Sequence, residues 1–208
     1  MGTSRRKLVD ADAAEATGLV AAVLRDGGAV VLPTDTVYGV AALPSVAGAT
    51  EALFSLKGRS SRQPLAVLVA SKEQALGLMA EVAEEVRRWM DDLWPGPLTL
   101  VVPRSASART LELGGDAATI GVRCPDHPLV RALATEVGPI AATSANRHGE
   151  ATPETAEAAA ASLVGPVGLV VDGGPATMVA STVVDASQTP WNVLRVGALP
   201  VAGLSAPA

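Results

Sequence analysis

The sequence predicts an α/β fold, a twisted mixed sheet with helices on its faces. Three observations carry this. Short apolar runs of strand length alternate along the chain with amphipathic stretches of helix length. Several of those runs, at 29–32, 65–69 and 139–142, are apolar at consecutive positions, and 98–102 is apolar except at Thr99. That pattern fits strands buried on both faces, in a sheet covered on each side. The last three strand candidates follow one another without long helices between them, so some pairing should be antiparallel. Composition agrees: 49% of the residues are hydrophobic but only 2% are aromatic. The core must then be built from Ala, Val, Leu and Ile, whose small side chains let helices lie close on a sheet.

In order, residues 11–25 read as an amphipathic helix carrying Leu19, Val23 and Leu24, ended by Gly27-Gly28. Residues 29–32 form a strand, and 33–39 a polar loop. A helix at 46–56 stops before Lys57-Gly58, and a strand follows at 65–69. Ser71 with Gln74 makes a capping box for the next helix, and helix continues over 82–93 until Trp94-Pro95-Gly96-Pro97 breaks it. A strand at 98–102 ends at Pro103, and the small, polar segment 105–117 reads as a mobile loop. After a strand at 119–122, Asp126 caps a helix with Pro128 in its first turn and Gly138 at its end. Residues 139–142 form a strand, Thr152-Pro153-Glu154 opens an Ala-rich helix through Leu163, and short strands follow at 169–171, 182–184 and 193–196.

No repeat or linker divides the chain, so residues 1–208 are expected as one domain, with its core at about 16–197 and a loosely ordered tail at 198–208. A single cysteine, Cys124, excludes an internal disulfide and a Cys-based zinc site. The N-terminal charges are not followed by an apolar stretch, unlike a signal peptide, and no run approaches a membrane span. A cytoplasmic location is expected. The net charge of -5 argues against a surface that grips nucleic acid as a whole, while leaving room for a local cationic cleft.

No phosphate-binding glycine loop, dinucleotide fingerprint, metalloprotease motif or nucleophile elbow is present. Two features remain. Three predicted strands run into polar residues at their carboxyl ends: Leu32 into Thr34, Asp35 and Thr36; Val122 into Arg123; Ala142 into Thr143, Ser144 and Asn146. Ligands collect at such ends in open α/β sheets. The second feature is the run Lys57-Gly58-Arg59-Ser60-Ser61-Arg62-Gln63-Pro64, with three cations in a glycine- and serine-containing loop. Lysine and arginine suit a phosphate chain, although such a loop alone reads more readily as solvated surface. As exposed cations, Lys57 and Arg59 would matter little to stability. Asp35 reads as a cap for its turn and Cys124 as a buried, inert thiol. His127 and His148 read as surface residues. Tyr38 either lines a site or covers the sheet edge, and Trp89, Trp94 and Trp191 fill core or rim.

The segments GGAVVLPTDTVYGVAA, LFSLKGRSSRQPLAVLV, TIGVRCPDHPLVRAL, PIAATSAN and STVVD, in this order, resemble the YrdC family of threonylcarbamoyl-AMP synthases. The likeness runs from about Ala16 to Gly197. Its signature, Lys-x-Arg followed far downstream by Ser-x-Asn, falls on Lys57, Arg59, Ser144 and Asn146. The resemblance implies a YrdC-like fold with a concave basic surface. It implies an enzyme that condenses ATP, L-threonine and bicarbonate to threonylcarbamoyl-AMP and pyrophosphate, with Mg2+ accompanying ATP and no protein metal site. Separate proteins would pass the group to tRNA, and direct tRNA contact is a further implication. By the same resemblance Lys57 and Arg59 are catalytic. Lys57, Arg59, Gln63, Thr119, Asn146 and Arg195 bind ATP, and Thr36, Arg123, Ser144 and Ser181 bind threonine. The chain departs from the family at Ser60, where proline is frequent, at Gln63, where asparagine is common, and at Leu68, where some members carry a histidine that contacts threonine. Two other functions fit less well: an RNA-binding protein without chemistry, and a carbamoyl-adenylating module of the kind found in hydrogenase maturation proteins.

Overall fold

The structure, a computed structural model, describes residues 8–201 and residue 204. Strand β1 (Leu8–Asp10) precedes helix α1 (Ala16–Arg25), whose Ala16, Val20, Ala21 and Leu24 recur at helical spacing and are buried. β2 (Val30–Leu32) and β3 (Gly39–Ala42) flank the loop 33–38. α2 (Ala49–Lys57) ends at Gly58, whose φ of 60° is a left-handed cap that favours glycine. Next come β4 (Ala66–Leu68), α3 (Lys72–Leu78), α4 (Glu84–Leu93), β5 (Leu98–Pro103) and a 3-10 turn (Ser107–Thr110). β6 (Thr119–Arg123), α5 (Pro128–Val137), β7 (Ile140–Ser144), α6 (Ala156–Ser162), β8 (Leu169–Asp172), β9 (Thr182–Asp185) and β10 (Asn192–Arg195) complete the order.

The ten strands among the described residues belong to one mixed sheet, ordered β1-β8-β2-β3-β7-β4-β6-β5-β9-β10. Period-two alternation gives each strand two faces. On the first face Val31, Val40, Val67, Leu100, Val122, Ala141 and Val184 join a core with Leu53 of α2, Ala75 of α3, Trp89 of α4 and Ala159 of α6. On the second, Val30, Ala41, Leu169 and Val171 pack under Val20 and Leu24 of α1 and Val130 and Leu133 of α5. That helix pair covers only part of the second face. Over β5, β6 and β9 the residues Thr99, Val101, Gly121, Arg123 and Val183 line a cavity instead. The expectation of cover on both faces is corrected here, and the uncovered part is where the site lies.

Other differences have local causes. β1 carries no apolar run because it is an edge strand, parallel to β8, with Leu8 47% exposed and Val9 buried. β3, the small-residue run Gly-Val-Ala-Ala, is held by antiparallel ladders to β2 and β7 rather than by β-propensity. Helix at 72–93 is interrupted where Met79 bridges Arg104. The Ser71–Gln74 cap forms: Ser71 Oγ accepts from Gln74 N at 3.3 Å, and Gln74 Oε1 accepts from Ala70 N at 2.7 Å. His127, not Asp126, stands at the N-cap of α5, and Thr155 caps α6 by accepting from Ala158 N. Segment 105–117 is tied down, with Leu113 buried and its carbonyl accepting from Leu65 N at 2.8 Å. The tail is likewise anchored where described: Ala198 N donates to Ala180 O at 2.9 Å, and Leu204 is buried in the larger core. Residues 1–7, 202–203 and 205–208, on which part of the terminal expectations fall, lie outside the described residues. Trp89 and Trp191 meet edge to face at 5.2 Å, and Trp94 is buried, so all three serve packing.

Candidate functional site

The uncovered part of the second face floors a cavity of about 320 Å3. Its floor is low because small residues supply it: Ala66 on β4, Gly121 on β6 and Ala142 on β7. A Cβ at Gly121 would meet Thr99, Ala66 and Val101 only at 3.7–3.9 Å, so the space above this backbone belongs to the cavity and not to packing. Among the described residues, four arginines line it, Arg59, Arg104, Arg123 and Arg195, and no aspartate or glutamate does. In a chain of net charge -5 this is a local concentration of positive charge, the arrangement that draws an anion. Burial lowers the pKa of Arg59, Arg104 and Arg123 from the ordinary arginine value, yet arginine keeps its proton at neutral pH.

Arg123, 5% exposed, closes β6 at one end of the cavity. Its Nε donates to Gly96 O at 3.0 Å, Nη1 to Thr36 Oγ1 at 2.9 Å, and Nη2 to Asp35 Oδ1 at 2.6 Å. Three of the five guanidinium N–H groups are therefore used, and the remaining two suffice for one carboxylate. Asp35 is thus an ion-pair partner and not a turn cap. Thr34 makes the turn: its Oγ1 accepts from Thr36 N and Val37 N and donates to Val37 O. Ser181 lies beside Thr36 and Arg123 in the lining. Its hydroxyl pairs with Thr99 Oγ1 at 2.9 Å and accepts from Arg195 Nη2 at 3.1 Å, so Arg195 is held over the same end.

Lys57 is 2% exposed, which corrects the expectation of an exposed cation. It stays at the C-terminus of α2, and its ammonium donates to Ser144 O at 2.5 Å, Asn146 O at 2.6 Å and Asn146 Oδ1 at 2.9 Å. Burial, with Arg59 adding like-charge repulsion, lowers it to about 8, so it remains charged at pH 7. Ser144 Oγ donates to Asn146 Oδ1 at 2.6 Å, and Asn146 Nδ2 donates to Glu150 O at 2.6 Å. Lys57, Ser144 and Asn146 are therefore one clamp that fixes the loop after β7. Arg59 stands beyond the glycine cap and reaches into the cavity. Its Nη1 donates to Thr143 Oγ1, its Nη2 donates to Gln63 O and Pro64 O, and its Nε is buried without a partner.

Of the residues singled out from sequence, Thr36, Arg59, Thr119, Arg123, Ser144, Ser181 and Arg195 come together around the cavity. Lys57, Gln63 and Asn146 are not in the lining; Gln63 is exposed and contributes its carbonyl to Arg59. The idea of three strand ends gathered on one edge is corrected. β2 and β7 run in the same direction, but β6 is parallel to β4 and hence antiparallel to β7. Arg123 meets Thr36 because the loop 33–38 reaches across the face. Leu68, in register with Arg123, gives the cavity an apolar wall there. Tyr38 is buried away from the cavity, donating to Gly174 O at 2.6 Å and accepting from Gly173 N. His127 is half-buried, with Nδ1 lacking a partner, rather than on the surface. His148 is exposed as expected. Cys124 is a buried thiol whose pKa burial pushes up. Sequence reasoning passed over Thr99 and Arg104, and placed Thr34 and Thr143 at strand ends without assigning either a ligand. A threonine inside the apolar run of β5 was the available signal for Thr99; Arg104 had none.

The threonylcarbamoyl-AMP synthase of Pyrococcus abyssi is 37% identical over 185 residues, which are 88% of this chain and 54% of that protein. The putative threonylcarbamoyl-AMP synthase of Mycobacterium tuberculosis is 40% identical over 183 residues, 86% of this chain and 84% of the relative. The crystal structure of P. abyssi Sua5 complexed with L-threonine matches with a TM-score of 0.85 at 36% identity, covering 95% of this chain and 59% of that chain. This chain spans about half the length of the P. abyssi protein. The Sua5/YciO/YrdC family model, described as telomere recombination, matches residues 22–197. With most of its length matched by that model and by relatives of this identity, the chain belongs to the Sua5/YciO/YrdC family.

Proposed function

We propose that this protein is a threonylcarbamoyl-AMP synthase that condenses ATP, L-threonine and bicarbonate, releasing pyrophosphate. The observation that carries the reading is the cavity: among the described residues, four arginines and no carboxylate in its lining, with a hydroxyl-rich pocket around Arg123 at one end. The relatives' names and the threonine complex of P. abyssi Sua5 support it. In the reaction, the threonine amine combines with bicarbonate to give a carbamate and water. A carbamate oxygen then forms a bond to the α-phosphorus, the bond to the bridging oxygen breaks, and pyrophosphate leaves with that electron pair. No protein nucleophile is required, so catalysis is positioning and charge stabilisation.

In this reading the two spare N–H groups of Arg123 take the threonine carboxylate, and Thr36, Ser144 and Ser181 offer hydroxyl partners to the amino acid. Arg59, Thr119 and Arg195 hold ATP, with Arg59 on the polyphosphate. Lys57 carries its charge behind Ser144 and Asn146 and fixes the posture of the loop they share, and Gln63 orients Arg59 through its carbonyl. Magnesium suits phosphate and carboxylate oxygens. Among the described residues the lining offers hydroxyls but no carboxylate, so these residues do not fit a protein-held magnesium, and the ion would arrive on the phosphates of ATP. Passing the threonylcarbamoyl group to tRNA would fall to separate proteins in the same compartment, which is taken to be the cytoplasm. Among the described residues no helix is long and apolar enough to cross a membrane.

The test is pyrophosphate release with ATP, bicarbonate and each amino acid in turn, and with carbamoyl phosphate in place of the amino acid. Threonine should give the fastest turnover and serine a slower one. Valine should be rejected because it leaves the hydroxyl pocket unpaired. Equal rates with valine and threonine, or a preference for carbamoyl phosphate, would remove the assignment.

A further inference from the structure

We propose that Arg104 is an anion-binding residue of this cavity, donating its free Nη2 to the polyphosphate of the nucleotide opposite Arg59. The inference rests on the reading of the cavity as an ATP site and adds a residue to it. Arg104 follows Pro103 at the end of β5, is 3% exposed, and lines the cavity. Two of its nitrogens are spoken for: Nε donates to Thr119 O at 2.5 Å and Nη1 to Leu111 O at 3.1 Å. Nη2 is buried with no hydrogen-bond partner. Among the described residues Arg104 forms no ion pair. The nearby carboxylate that attracts it, Asp116, is exposed and accepts from Ala118 N at 2.8 Å.

A buried cationic nitrogen without an acceptor is costly, and native structures leave few of them. Among the described residues, two of the four unpartnered buried side-chain atoms are guanidinium nitrogens of residues lining one cavity, Arg104 Nη2 and Arg59 Nε. Both side chains line the cavity, so an anion held there is the acceptor available to them. A polyanion fits better than a neutral base edge, because what lacks compensation is charge, and among the described residues the lining supplies no carboxylate to provide it. The bonds to Thr119 and Leu111 hold the guanidinium in place beforehand, so little ordering remains when the ligand enters.

The experiment titrates ATP, inorganic tripolyphosphate and L-threonine separately into the wild type, Arg104→Gln and Arg104→Lys by calorimetry. Tripolyphosphate probes the phosphates without the nucleoside, and threonine serves as the internal check that each variant is folded at the cavity. Both variants should bind ATP and tripolyphosphate about tenfold or more weakly, the effect of losing a hydrogen bond to a charged group, with threonine affinity within about twofold of wild type. Lysine restores the charge and a bond to the Thr119 carbonyl, so a merely structural role would be rescued in Arg104→Lys. Wild-type ATP affinity in either folded variant overturns the proposal, as does a loss for ATP that spares tripolyphosphate. A wild type that binds neither ATP nor tripolyphosphate would instead sink the nucleotide-site reading and this proposal with it.

Discussion

Replacing Lys57 with methionine removes the ammonium while keeping most of the side-chain volume. Three acceptors lose their donor at once: Ser144 O, Asn146 O and Asn146 Oδ1. Leaving a buried acceptor unsatisfied costs about 1–3 kcal/mol. Ser144 is only half-buried, so water can reach part of this group, and Asn146 Oδ1 keeps its bond from Ser144 Oγ. Relief of the desolvated ammonium offsets a further part. A net loss of about 2–4 kcal/mol follows, or about 4–16 °C in Tm for a chain of this size. Chemical denaturation at pH 7 measures it. The pH profile supplies an independent check. With Lys57 lowered to about 8 in the folded protein and at 10.5 in the unfolded chain, the unfolded state binds more protons between those values. Stability should therefore rise with pH across that window, and Lys57→Met should lose that rise. A Lys57→Met protein within about 0.5 kcal/mol of wild type, the range of ordinary surface substitutions, would refute the clamp and restore Lys57 as a free surface cation.

Arg59→Ala frees the exposed Gln63 and Pro64 carbonyls and the half-buried Thr143 hydroxyl. It should cost about 1 kcal/mol in stability yet abolish most pyrophosphate release, and near-normal turnover would sink its phosphate role. Arg123→Lys keeps a charge beside Asp35 but loses the fork. Threonine binding should weaken by about 1.5–3 kcal/mol with ATP affinity nearly unchanged in separate calorimetric titrations, and the opposite pattern would exchange the two halves of the site. Gly121→Val places methyl groups in the open space above β6. Thermal unfolding should show stability equal to or above wild type, since valine favours strands, while ligand-induced stabilisation disappears. A variant that still binds both ligands would place the site elsewhere.

The α/β class, the order of its long elements and the apolar cores were legible because each rests on local periodicity. Runs such as 29–32, whose side chains alternate between the two cores, bury both faces in the sheet, and α1 and α5 announce their inner faces at helical spacing. β1 and β3 were not legible, since an exposed Leu8 and a small-residue Gly-Val-Ala-Ala run carry no such signal and are strands through their partners' ladders. Among the site residues, Thr36, Arg123 and Ser144 were marked by type at strand ends, and Arg59 and Ser181 by the family resemblance; all five line one cavity. What each does with its hydrogen bonds was decided only by the tertiary structure. Lys57 and Arg59, two residues apart, part company because the left-handed Gly58 turns the chain between them, so that one is buried in the Ser144–Asn146 loop and the other enters the cavity. Asp35 meets Arg123 across 88 residues of sequence, and Arg104 meets Thr119 across the β5–β6 ladder. Residue types and local order belong to the sequence. Donor–acceptor pairing depends on strand direction and on which part of the sheet the helices leave uncovered, and long-range packing alone sets these.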